Sequence, residues 1–132
     1  MVTVEWGFWL VLALMFLMFP FRFLVGILLA ACVHELGHLL ALRLTGGKVH
    51  RILLHSGGVT METTPMEPLR EVICAVAGPG LGALTILAWK QFPEMALAGL
   101  VQTVFNLIPI YPLDGGRAVR NICCKIRDFG VQ

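Results

Sequence analysis

Apolar positions run almost unbroken from Trp6 to Leu44, interrupted only at Pro20-Phe21-Arg22. One helix of that length, rising about 1.5 Å per residue, far exceeds a hydrocarbon core roughly 30 Å thick. The pattern therefore predicts two helices joined by a tight turn, at about 6–19 and 23–44. The first is short for a span, which predicts little tilt or local thinning of the bilayer, with Trp6 and Trp9 anchoring its end at the interface. Thr45-Gly46-Gly47 stops the second helix. Residues 49–64 read differently: Val49, Arg51 and Leu53, then His55-Ser56-Gly57-Gly58, then Val59, Met61 and Thr63. Alternation on both sides of a Gly-Gly turn predicts a β-hairpin, although Ile52-Leu53-Leu54 interrupts the period. Pro65 and Pro68 close it.

A third apolar stretch covers about 69–89 and contains Gly78 and Gly82, a small-xxx-small pair that lets a neighbouring helix approach closely. After a turn at 90–94, a fourth covers 95–113, broken by Pro109 and Pro112 and ended by Asp114-Gly115-Gly116. Residues 117–132 form a basic tail. No repeat, low-complexity tract or linker divides the chain, so residues 1–132 read as a single domain. The predicted fold class is an α-helical integral membrane protein with about four transmembrane helices and a small membrane-associated β-hairpin.

Composition agrees. Of 132 residues 58% are hydrophobic and 14% charged, against about 45–50% and 25% in soluble domains. This excludes intrinsic disorder, and a net charge of +2 gives no reason to expect a nucleic-acid partner. Cys32, Cys74, Cys123 and Cys124 form no Cys-x-x-Cys pair and read as small hydrophobes kept reduced. A cleaved signal peptide fits poorly, because the N-terminus carries Glu5 in place of a basic cluster and the apolar run is too long. With four spans, Arg43, Lys48, Arg51, Arg70, Arg117, Arg120, Lys125 and Arg127 share one side, against Arg22 and Lys90 on the other. The positive-inside rule then places both termini and the 45–69 connection in the cytoplasm.

Against this background, His34-Glu35-Leu36-Gly37-His38 stands out. Ionisable groups inside a span cost roughly 2.5–3.5 kcal/mol each on insertion scales and usually mark function. On a helix His34 and His38 share a face, the H-E-x-x-H arrangement in which two imidazoles hold one Zn²⁺ and the glutamate serves as general base. A catalytic zinc normally takes three protein ligands, and Asp114 is the obvious third, at the cytoplasmic end of its segment with two glycines behind it. The competing readings are hydrogen bonding between helices for the histidines and an Asp-Gly bend for Asp114. Pro109 cannot donate to the carbonyl of Phe105, so the turn should open there. That exposes backbone which, with the Asn106 amide, could bind substrate or position the Asp114 loop; interhelical hydrogen bonding is the alternative for Asn106. His50 and His55 read as interfacial residues, not extra ligands.

The His34–His38 motif, together with Asn106-Leu107-Ile108-Pro109-Ile110-Tyr111-Pro112-Leu113-Asp114-Gly115-Gly116, resembles the site-2 protease family of intramembrane zinc metalloproteases. The second motif looks closest to its bacterial sporulation branch, whose known member processes a membrane-associated sigma-factor precursor. Ala77-Gly78-Pro79 and Ser56-Gly57-Gly58 also look like family features. The resemblance implies one Zn²⁺ held by His34, His38 and Asp114, with Glu35 activating the water. It implies that Asn106 helps to orient substrate or the active-site loop, and that the hairpin around Gly57, Gly58 and Val59 receives an unwound substrate strand. It further implies a membrane-embedded or membrane-associated protein substrate, such as a sigma-factor precursor or an anti-sigma-type regulator, and a regulatory membrane partner. The location implied is a bacterial cell membrane. Leu107 stands where many relatives have proline, and Gly82 where many have asparagine. The chain ends soon after Arg117, as expected of a minimal enzyme, a truncated product or a fragment that needs a partner.

The reaction these features predict is peptide hydrolysis within the bilayer. A non-catalytic zinc-binding scaffold for the same clients is the alternative, disfavoured because Glu35 is intact. A transporter would need polar residues in the first and third stretches as well. A non-haem iron site of two histidines and a carboxylate would not call for the adjacent glutamate.

Overall fold

A computed structural model of the chain describes residues 1–129. In chain order these form β1 (Val2–Val4), α1 (Trp6–Met18), α2 (Phe21–Leu44), β2 (Val49–His55), β3 (Gly58–Thr63), α3 (Pro68–Ala83) with a 3₁₀ continuation (Leu84–Ala88), α4 (Pro93–Asn106) and α5 (Asp114–Phe129). Helix α2 packs against α3 and α4, and α3 packs against α5.

The packing is inverted relative to a protein in water. Leu24, Leu42 and Pro79 are the only large apolar side chains buried among the described residues, and the rest of the apolar core is small: Ala30, Ala41, Cys74, Ala75, Ala96 and Ala118. Large apolar side chains face outward, with Trp6 90%, Leu17 85% and Leu87 78% exposed. Membrane helices associate in this way, since lipid covers large side chains and small ones let backbones approach. Two helices are long and apolar enough to cross a bilayer, Phe21–Leu44 and Pro68–Ala88; α1, at 13 residues, is apolar but shorter.

Local chemistry sets the boundaries. Helix α2 ends where the Thr45 backbone N–H and hydroxyl both donate to the Ala41 carbonyl at 2.9 Å and Gly46 turns to φ +77°, the left-handed stop that glycine allows. Pro79 lies inside α3, where its carbonyl accepts a 3.2 Å hydrogen bond from the buried Thr103 hydroxyl of α4.

Two boundaries differ from the sequence expectation. The fourth helix stops at Asn106, not at 113, and residues 107–113 form an irregular loop that reverses the chain. Prolines 109 and 112 account for this, since neither can donate to a helical ladder. The tail is also no simple extension: Asp114 opens a 16-residue helix, while 130–132 lie outside the described residues.

The hairpin forms with a turn at Ser56-Gly57, pairing His55 with Gly58, Leu54 with Val59 and Ile52 with Met61; a bulge between Val49 and Arg51 absorbs the broken alternation. Gly58 adopts φ +122°, a region that side chains disfavour. It is not a lone hairpin, however. β1 pairs in parallel with β2, Val2 opposite Ile52 and Val4 opposite Leu54, giving the order β1-β2-β3. β1 therefore covers one edge of β2, and among the described residues the outer edge of β3 is free.

Candidate metal centre

Glu35 and the two histidines sit in the middle of α2, one turn separating His34 from His38. Asp114 reaches them from the first turn of α5 because the 107–113 loop folds back on itself. Gly115 and Gly116 permit that fold: a Cβ on Gly115 would collide with the Leu107 carbonyl, and one on Gly116 with the backbone of Ile110 and Tyr111. On the other side, Gly37 of α2 faces Ala77 and Gly78 of α3, and a Cβ on Gly78 would strike the His38 imidazole. The sequence reading of Gly78 as a packing glycine thus gains a second consequence, since its missing side chain makes room for His38.

His34 Nε2 and His38 Nε2 lie 3.1 Å apart, and they stand 3.1 and 3.2 Å from Asp114 Oδ2. Tetrahedral zinc with bonds of roughly 2.0–2.1 Å separates its ligand atoms by about 3.3 Å, so the triangle needs to open only slightly. The donor chemistry fits as well. His38 Nδ1 donates to the Cys74 carbonyl at 2.7 Å, so in the neutral ring Nε2 carries the lone pair and points it into the cluster. His34 and Asp114 are buried, and His34 Nδ1 has no hydrogen-bond partner among the described residues. Two imidazoles and a carboxylate converging on one point suit a divalent cation. Three protein ligands leave a fourth position for water or substrate.

The other oxygen of Asp114 is also held. Arg117 Nη1 lies 3.6 Å from Asp114 Oδ1, and Arg117 Nη2 lies 3.4 Å from Glu71 Oε2 on α3. Sequence reasoning counted Arg117 only as a tail charge and did not single out Glu71 or the Cys74 carbonyl. The Asp114-x-x-Arg117 spacing signals the pair once the tail is read as a helix; nothing in the sequence announces a backbone carbonyl.

A groove of about 440 Å³ opens onto the cluster, lined by His34, Glu35, His38 and Asp114 on one side and by Gly57, Gly58, Val59, Thr60, Met61 and Thr63 on the other. Asn106 lines it too, with its amide donating to the Gln102 carbonyl one turn back at 3.1 Å, a bond within its own helix and not between helices. Pro109 is exposed in the loop and does not line the groove. His55 borders the groove but is tied into the turn by the Gly57 N–H and the Thr60 hydroxyl, apart from the triad; His50 lies on exposed strand surface.

The chain is similar to known proteins in sequence and in fold. The family model of the M50B-like peptidases matches residues 8–110. A zinc metalloprotease of Methanocaldococcus jannaschii is 36% identical over 109 residues, covering 70% of this chain and 32% of the relative. Stage IV sporulation protein FB of Bacillus subtilis is 28% identical over 123 residues, covering 83% of this chain and 43% of the relative. In three dimensions, the site-2 protease from Methanocaldococcus jannaschii superposes with a TM-score of 0.77 at 24% identity, over 94% of this chain and 67% of that one; at that identity the likeness is one of fold. The chain belongs to the M50B-like peptidases, the site-2 protease family of zinc metalloproteases. It spans about a third of the length of the zinc metalloprotease it matches at 36% identity.

Proposed function

We propose that this chain is the core of an intramembrane zinc metalloendopeptidase that cleaves membrane-embedded or membrane-associated proteins. The observation that carries this reading is the convergence of His34, His38 and Asp114 beside Glu35 at the floor of a groove walled by a free strand edge. His34, His38 and Asp114 hold the metal, which when bound polarises a peptide carbonyl and makes water more acidic. Glu35 flanks the metal-facing side of α2, about 100° around the helix from His34. Its carboxylate takes a proton from the attacking water as the new C–O bond forms. It then delivers that proton to the leaving amine as the C–N bond breaks.

The substrate must be extended at the cleaved bond, because helical hydrogen bonding hides the carbonyl. β3 supplies the means. In a hairpin with a two-residue turn the flanking pair, His55 with Gly58, exchanges both hydrogen bonds, so the backbones of Val59 and Met61 face away from β2. A substrate strand added there satisfies its own backbone within the membrane, and Gly57 and Gly58 leave room at its end. Asn106 borders the same groove and contacts substrate; Pro109 acts only through the loop that returns the chain to Asp114.

In the membrane, α1 and α4 complete a four-helix arrangement with the two longer spans, and both termini and the 45–69 connection face the cytoplasm, as the eight-to-two division of basic residues supports. A bacterial cell membrane as location, a sigma-factor precursor or anti-sigma-type regulator as client, and a regulatory membrane partner complete the proposal, and the similarity to a sporulation protein of Bacillus subtilis supports it.

The test is reconstitution of the chain with zinc and a panel of single-span and amphipathic-helix substrates. Zinc-dependent cleavage of some of them supports protease activity, while stoichiometric zinc with client binding but no cleavage favours the scaffold alternative. Labelling of a cysteine placed at the exposed Glu67 by an impermeant external reagent would contradict the orientation.

A further inference from the structure

Helix α5 opens with Asp114, and beyond its first turn only part of its circumference is covered by protein. Ala118 is buried on the side facing α3, whereas Val119, Ile122 and Ile126 are 47%, 45% and 65% exposed and Cys123 is exposed beside them. At about 100° per residue these four form one continuous stripe. Arg120 and Arg127 border it on one side and Lys125 on the other, with no acidic residue from 115 to 127. The Arg120 guanidinium lies 5.4 Å above the ring of Tyr111, which is exposed in the adjoining loop.

An apolar stripe with cationic borders and a neighbouring exposed tyrosine matches the layered chemistry of a membrane interface, with acyl chains below and phosphates alongside. The stripe also adjoins a helical bundle whose large apolar side chains already face outward. We propose that the face of α5 turned away from α3 meets an anionic leaflet, with Val119, Ile122 and Ile126 against acyl chains and Arg120, Lys125 and Arg127 reaching anionic headgroups. Because Asp114 is its first residue, this docking holds the third metal donor in place, so metal affinity depends on lipid charge. The inference rests on the membrane reading above but not on proteolysis, and none of the three cations belongs to the metal cluster.

The experiment uses the full chain in vesicles of phosphatidylcholine alone or with phosphatidylglycerol. A nitroxide on the native Cys123, the other cysteines replaced by alanine, reports collision with oxygen or with a water-soluble nickel chelate. Zinc retention against a chelator is measured in parallel. In anionic vesicles the label should favour oxygen and zinc should be held more tightly than in neutral ones. R120Q/K125Q/R127Q should lose both differences, with about a fivefold weakening of surface attraction per cation removed, and R120K/K125R/R127K should keep them. A label equally open to nickel in both vesicles overturns the proposal. So does a label shielded from both reagents in a protein-concentration-dependent way, which means that a second copy covers the stripe. Burial that ignores lipid charge overturns it as well.

Discussion

His38 Nδ1 donates 2.7 Å to the backbone carbonyl of Cys74 on the neighbouring helix, which fixes the ring nitrogen that faces Asp114. The metal-facing geometry of α2 is thus set by α3, through a bond that needs the two backbones in close contact. Gly78 provides that contact one turn further along α3.

Gly78→Ala should therefore weaken metal binding although glycine 78 touches no ion. Its new methyl group enters the space of the His38 imidazole, breaking the alignment with Cys74. Losses at such supporting positions typically run to roughly 10–100-fold in metal affinity. Gly80→Ala, two residues away and facing open space, is the matched control and should bind zinc normally. Competition titration with a chromogenic chelator measures both.

Arg117→Gln should also lower zinc affinity, by about tenfold or somewhat more, because Asp114 Oδ1 loses the cation that links it to Glu71. Glu71→Gln should act in the same direction, and the double variant should cost less than the two single losses combined, since both act through one contact. Additive losses would mean that the two residues do not work as a pair.

Val59→Pro and Met61→Pro each remove an N–H that faces the free edge without removing a bond to β2. Cleavage should fall sharply while zinc content and helix content stay unchanged. Thr60→Pro breaks the hairpin ladder itself and should reduce both cleavage and stability. Unimpaired cleavage by the Val59 and Met61 variants would exclude strand addition at this edge.

Much of this arrangement was legible in the chain because each feature has a short-range signature. The run from Trp6 to Leu44 with Pro20 inside it marks two apolar helices, and alternation around Gly57-Gly58 marks a hairpin. The His34–His38 spacing places two imidazoles on one face, and the structure brings Asp114 to them. The features that escaped depend on distant partners or short segments. Three residues, Val2–Val4, are too few to show a period, and their strand exists because β2 offers an edge. The α5 helix was hidden because its apolar positions are spaced among cations and read as a charged tail. Its amphipathic period emerges only once Asp114 is taken as a helix start instead of a span's end.

Zinc content and cleavage measured together on the wild type, Glu35→Gln and Asp114→Ala test the central claim most directly. Glutamine keeps the shape of Glu35 but cannot take a proton, so Glu35→Gln should bind zinc at wild-type stoichiometry while turnover falls by roughly 10²–10⁴-fold. Asp114→Ala removes a donor 3.1 Å from His34 Nε2, so its zinc should be lost and its cleavage with it. Glu35→Gln cleaving as fast as the wild type at equal zinc would contradict the account.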